Sequence, residues 1–141
     1  MKVLVDTSVW SMALRRPKGQ LQSADQALVD ALADLVRDGR AVLMGAIRQE
    51  VLSGIKSASQ FELLRSSLSA FDDLAMPAVV YEAAAQALNV CRAHGVQGSN
   101  TDFLICAAAL HHALPIFSTD GDFVSYQRWL PIQRYWPTTH S

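Results

Sequence analysis

Cysteine is scarce. Cys91 and Cys106 are the only two in 141 residues, and they stand far apart in helix-like segments, outside any CxxC pair. That spacing points to two reduced, buried thiols of a cytosolic protein rather than to a cysteine motif. Long apolar runs are missing as well. None approaches the ~20 residues that span a bilayer, so no membrane association is expected. An acid at position 6 also breaks the core of any signal peptide, and a cytoplasmic location follows as the expectation. Neither sign of charge dominates, since 12 Lys+Arg face 13 Asp+Glu for a net charge of −1. This balance excludes a histone-like basic surface and an acidic tail, although a local basic patch would not show in a whole-chain sum. Charged residues make up only 18%, whereas 50% are apolar, enough for a real core. The length fits one domain, and residues 1–141 are read as a single unit without repeat, linker or low-complexity stretch.

Apolar periodicity orders the chain. Val3, Leu4 and Val5 form a continuous apolar run, as in a strand buried on both faces. Asp6, Thr7 and Ser8 then supply capping oxygens for a short helix through Trp10 and Leu14. Leu28, Leu32, Leu35 and Val36 mark an amphipathic helix over 24–37 that stops at Gly39. A second buried strand over 41–44 leads into a helix opened by Gly45. Further helices are predicted near 58–71, 80–95 and 101–113. Strands are expected at 74–76, 115–118 and, at one edge, 128–132, with Gly121 and Asp122 in a turn. Strands separated by helices imply right-handed crossovers. The predicted fold class is α/β: a single three-layer α/β/α domain with a central, mostly parallel sheet of 4–5 strands.

In such a sheet, ligands bind beyond the carboxyl ends of the strands. Asp6 ends the first strand, and Asp120 follows the strand at 115–118. Glu50 lies one or two turns into the helix after the second strand. Asp102 lies in the first turn of the helix that leads to the strand at 115–118. All four positions fall at one sheet edge, and Asp122 can assist from the same loop as Asp120. Singly, each acid has an ordinary alternative: a helix cap, a solvated helix residue, a dipole partner or a turn former. Together, four carboxylates in one crevice repel one another and raise their own pKa values. A hard divalent cation removes that cost, and oxygen-only ligation suits Mg²⁺ or Mn²⁺. Such a cluster can hold one or two ions and stabilise an in-line displacement at phosphorus, which is nuclease or phosphatase chemistry.

Four segments then resemble the motifs of PIN-domain nucleases, specifically the VapC ribonucleases of bacterial VapBC toxin–antitoxin pairs. They are Val3-Leu-Val-Asp6-Thr7-Ser8-Val-Trp10, Ile47-Arg-Gln-Glu50-Val-Leu-Ser-Gly54, Gly98-Ser-Asn-Thr-Asp102-Phe-Leu-Ile-Cys-Ala-Ala108 and Ser118-Thr119-Asp120-Gly-Asp122-Phe123. Their order and spacing fit, and they cover nearly the whole chain. The lack of a second domain favours the toxin branch over larger processing nucleases.

The resemblance implies that Asp6, Glu50, Asp102 and Asp120 are the catalytic, metal-binding acids, with Asp122 as a support or occasional ligand. Thr7 and Thr119 would bring hydroxyls near the metal or the scissile phosphate, or else cap a helix and a turn. Ser99 and Asn100 are expected to cap the helix that carries Asp102. One departure is Gly45, where relatives often have a small hydroxyl residue. The implied reaction is metal-dependent hydrolysis of RNA, leaving 5′-phosphate and 3′-hydroxyl ends. The implied partners are an RNA substrate, a cognate antitoxin and a second copy of the chain in a homodimer. The helix near 58–71 and its predecessor would form the antitoxin groove.

Neutralising the four acids leaves nine others against 12 basic residues, a balance of +3. Arg15, Arg16, Lys18 and Arg48 are therefore candidate contacts to an RNA backbone, with solubilising charge as the alternative. His111 and His112 sit near a helix end without zinc-ligand spacing. Trp10, Trp129 and Trp136 read as core or interface anchors. Two other functions compete. A phosphatase or phosphotransfer domain would use Asp6 as a covalent nucleophile, but its second Asp two residues on is Ser8 here. A catalytically silent PIN-fold binding module would not need all four acids.

Overall fold

The computed structural model describes residues 1–16 and 19–137. Lys18, one of the candidate RNA contacts, lies outside the described residues. Three short parallel strands form the sheet: β1 (Val3–Val5), β2 (Ala41–Val42) and β3 (Ile116–Phe117), in the order β2-β1-β3. Val3, Leu4 and Val5 are fully buried, which explains their unbroken apolar run. Val3 pairs with Ala41 on one side, and Val5 pairs with Phe117 on the other.

Between β1 and β2 run α1 (Thr7–Arg15) and α2 (Ser23–Arg37). Between β2 and β3 run α3 (Gly45–Leu52), α4 (Ala58–Leu68), α5 (Ala78–Ala93) and α6 (Asn100–His111). The chain leaves β1 in one direction to form β2, then crosses back beyond β1 to form β3. The order therefore reverses beside β1, and the crevice outside the carboxyl ends of β1 and β3 is the topological switch point. Right-handed crossovers in opposite directions carry helices to both faces of the sheet. Helix α1 packs on α2 and α3, while α5 packs closely on α6. Small residues permit that close approach: Ala84 and Ala87 on α5, and Ala107, Ala108 and Ala109 on α6, are all buried. Among the described residues, no helix is long and apolar enough to cross a membrane.

Local signals set the boundaries. Helix α2 ends where Gly39 takes a φ of +69° and Arg40 N–H closes on Leu35 C=O at 2.8 Å. Helix α6 begins with Ser99, whose hydroxyl accepts from Asp102 N–H at 3.0 Å. Cys91 and Cys106 are free and fully buried, and burial pushes both thiols up. Trp10 is buried and donates from Nε1 to Val5 C=O at 3.0 Å.

The sheet differs from expectation in strand number, with three strands in place of four or five. At 74–76 there is no strand; a single parallel bridge, Leu43 to Asp73, stands just before it, and Pro77 then opens α5. At 128–132 there is no edge strand. A short helix, α7 (Asp122–Gln127), occupies the segment expected to be a turn, and its last turn continues to Leu130 N–H bonding Tyr126 C=O at 2.9 Å. Pro131 cannot donate to a ladder. Among the described residues, the chain rejoins the sheet at Arg134, through one bridge to Ile116.

Candidate active site

Asp6 stands at the carboxyl end of β1, in the N-cap position of α1, yet its side chain makes no capping hydrogen bond. The residue is only 6% exposed. Two serine hydroxyls hold it instead. Ser118 Oγ donates to Asp6 Oδ2 at 2.7 Å, and Ser8 Oγ donates to the same oxygen at 3.1 Å. Each serine also accepts from the loop after β3. Asp120 N–H donates to Ser118 Oγ at 3.0 Å, and Thr119 N–H donates to Ser8 Oγ at 3.1 Å. Asp6 is thereby tied to the backbone that presents Asp120.

Asp120 Oδ1 accepts from Asp122 N–H at 2.9 Å, which satisfies a free donor at the start of α7. Asp102, in the first turn of α6, accepts from the Tyr126 hydroxyl at 2.6 Å. Carboxylate oxygens of Asp102, Asp120 and Asp122 all lie within 4.8 Å of one another. Burial raises the Asp102 carboxyl above its ordinary range, and the charges of Asp120 and Asp6 raise it further, against the lowering bonds from Tyr126 and Ser99. The Tyr126 phenol is pushed up by burial and by Asp102, so it remains a proton donor. No Lys or Arg pairs with Asp6, Asp102, Asp120 or Asp122 among the described residues.

The structure thus brings Asp102, Asp120 and Asp122 into one group and holds Asp6 beside it through Ser118. Glu50 lies outside the tight group. It is exposed on α3, where Oε1 accepts from the Thr7 hydroxyl at 2.8 Å, and Thr7 adjoins Asp6. For Thr119 it is the backbone N–H, rather than the hydroxyl, that is engaged. Arg48 is engaged within the protein. Its guanidinium joins α3 to the end of α4, donating to Leu68 C=O at 2.9 Å, to Phe71 C=O at 2.7 Å and to Asp73 Oδ1 at 3.0 Å. Those bonds take most of the donors that a phosphate would use. Arg16 pairs with Asp25 at 3.6 Å on the surface, and Arg15 is exposed at the end of α1.

Three site residues went unread in the sequence: Ser118 and Ser8 as holders of Asp6, and Tyr126 as the partner of Asp102. A signal for Tyr126 was present. Phe123, Tyr126 and Leu130 recur at i, i+3 and i+7, the buried stripe of a short helix and its final turn.

The donor set consists of oxygens, most of them carboxylate, gathered without a basic partner. That chemistry fits a hard divalent cation, for which Asp102, Asp120 and Asp122 offer a candidate ligand group, with Asp6 held nearby by Ser118.

Comparison with known proteins agrees with this fold. The crystal structure of FitAcB from Neisseria gonorrhoeae is similar over 94% of this chain and 96% of its own, at 20% identity and a TM-score of 0.67. The structure of FitAB bound to an IR36 DNA fragment is similar over 98% of both chains, at 20% identity and a TM-score of 0.73. No curated protein matches. The PIN domain family model matches residues 3–128, and the chain belongs to the PIN domain family.

Proposed function

We propose that this chain is a divalent-cation-dependent endoribonuclease, acting as the toxin of a VapBC-type pair in the cytoplasm. PIN domains are generally nucleases, and the single observation that carries the reading here is the group of Asp102, Asp120 and Asp122 at the switch point. Asp6 is clamped beside it. Bound there, Mg²⁺ or Mn²⁺ supplies charge compensation and Lewis acidity toward a phosphodiester. The chain's own residues do the positioning. Ser8 and Ser118 fix the Asp6 carboxylate, and the Asp120 carboxylate is oriented by Asp122 N–H. Thr7 restrains Glu50 at the rim. Asp6, Asp102 and Asp120, with Asp122 in support and Glu50 at the rim, would assemble an in-line displacement of the phosphodiester by water, leaving 5′-phosphate and 3′-hydroxyl ends.

An apolar groove supports the antitoxin as partner. About 370 Å³ in volume, it lies between α1, α2 and the end of α4, lined by Trp10, Leu14, Val29, Leu32, Val36 and Phe71. The sequence pointed to α4 and its predecessor for an antitoxin groove; this groove is lined by α1, α2 and, at Ser67 and Leu68, the end of α4. An amphipathic helix of the antitoxin would fit such a groove. Apolar Val79 and Val90 are exposed on one face of α5, which would be available to the second copy of a homodimer.

The test is cleavage of a total RNA pool by the purified chain in Mg²⁺, Mn²⁺ and EDTA lanes, beside Asp6→Asn. The expected result is discrete fragments that require the cation and vanish in the variant. Beryllium fluoride trapping on Asp6 without RNA cleavage would favour a phosphotransfer domain. Absence of both would favour a silent binding module.

A further inference from the structure

Tyr126 is fully buried, yet it brings a hydroxyl to the acidic group. Its ring stacks obliquely on Phe103 with centroids 4.8 Å apart and edge-on to Phe123 at 5.4 Å. A phenylalanine would fill the same space without the cost of desolvating a hydroxyl, so the oxygen must be explained by its partner. That partner is Asp102 Oδ2, at 2.6 Å.

The backbone makes room for this bond. A Cβ at Gly98 would come within 2.8 Å of Tyr126 Cζ and 2.9 Å of Phe103 Cε2, and closer still to the hydroxyl. Gly98 has no positive φ to account for it; it is small because the phenol passes there. The bond also joins two segments. The stretch from Asp120 to Tyr126 carries two acids of the group and, one turn into α7, the donor that holds the third.

We propose that Tyr126 is a positioning residue, whose hydroxyl, admitted by the bare Gly98, holds the Asp102 carboxylate where it meets Asp120 and Asp122 around a divalent cation. The inference rests on the reading of these acids as cation ligands. Hydrogen-bonded partners behind metal ligands orient them, and their loss commonly weakens metal binding by about 10- to 100-fold.

The experiment is calorimetric titration of the full chain with Mn²⁺, beside Tyr126→Phe and Gly98→Ala, with far-UV circular dichroism and thermal melts of the cation-free proteins. Tyr126→Phe keeps the ring and its packing. It is expected to weaken Mn²⁺ binding by about 10-fold or more while leaving the fold intact. Gly98→Ala is expected to displace the phenol and to weaken binding likewise; should it not fold, Tyr126→Phe decides alone. A merely structural tyrosine would lower the melting temperature and leave the affinity of the folded protein unchanged. Binding by Tyr126→Phe as tight as that of the unsubstituted chain would overturn the proposal. Absence of Mn²⁺ binding by the unsubstituted chain would overturn the reading of the acids and this inference with it.

Discussion

The hydroxyl of Ser118 donates to Asp6 Oδ2 at 2.7 Å across 112 positions of sequence. The bond spans β3 and β1 at their carboxyl ends and fixes a buried carboxylate beside the loop that carries Asp120. Ser118 itself is only 4% exposed. Asp6 is therefore held from the neighbouring strand.

Ser118→Ala removes the stronger of the two donors to Asp6 and the acceptor of Asp120 N–H. Hydrogen bonds to charged groups contribute about 1.5–3 kcal/mol, and a loss of that order is expected in urea denaturation. Cation-dependent cleavage is expected to fall with it. Unchanged stability would show that Ser8 alone suffices to hold Asp6.

Asp102 carries a pH signature. Its folded carboxyl is raised by burial first, then by the charges of Asp120 and Asp6. A raised acid binds more protons in the folded state than in the unfolded state. Ionised Asp102 therefore costs stability, fully above its folded pKa and not at all below the ordinary carboxylate range. Asp102→Asn, which retains an acceptor for Tyr126, is expected to melt higher than the unsubstituted protein at pH 8 without cations. That advantage is expected to shrink as the pH falls toward 3. Added Mn²⁺ is expected to raise the melting temperature of the unsubstituted protein more than that of the variant. A variant that melts lower at pH 8 would contradict this account of the acidic group.

Arg48 separates a structural role from an RNA contact. Arg48→Ala strands the carbonyls of Leu68 and Phe71 and the carboxylate of Asp73, an expected loss of about 1–3 kcal/mol. Arg48→Lys is expected to restore little, since one ammonium cannot reproduce the planar fork. A phosphate contact would instead leave stability unchanged and lower the salt dependence of RNA binding by about one charge.

Ala33 is exposed at the apolar groove. Ala33→Glu places a charge in the cleft of α1, α2 and α4 at little risk to the core. It is expected to abolish co-purification with a co-expressed cognate antitoxin while Mn²⁺ binding persists. Retained pairing would move the antitoxin to another face.

Strong local signals were legible in the sequence. The Val3–Val5 run read as a strand buried on both faces, and Ser99 three residues before Asp102 marked the start of α6. The rule that ligands sit beyond the strand ends pointed to Asp6, Glu50, Asp102 and Asp120 together; Asp102 and Asp120 do meet, with Asp122, while Glu50 stays outside the tight group. Weaker elements were not legible. β2 and β3 have two residues each, and the contacts at Asp73 and Arg134 are single bridges, too short for a period-2 pattern to register. Gly121 resembles a turn former, but Asp120 accepts from Asp122 N–H and turns the segment into α7. Missing that helix concealed Tyr126. Arg48, close to an acidic motif, resembled a phosphate contact; only the path of residues 68–73 shows which partners take its donors.

The central claim is that these carboxylates form one divalent-cation site, and anomalous diffraction from crystals equilibrated with Mn²⁺ tests it most directly. The account expects a manganese peak bounded by Asp6, Asp102, Asp120 and Asp122, absent from crystals of Asp6→Asn treated in the same way. Crystals at saturating Mn²⁺ with no peak among those four side chains would contradict it.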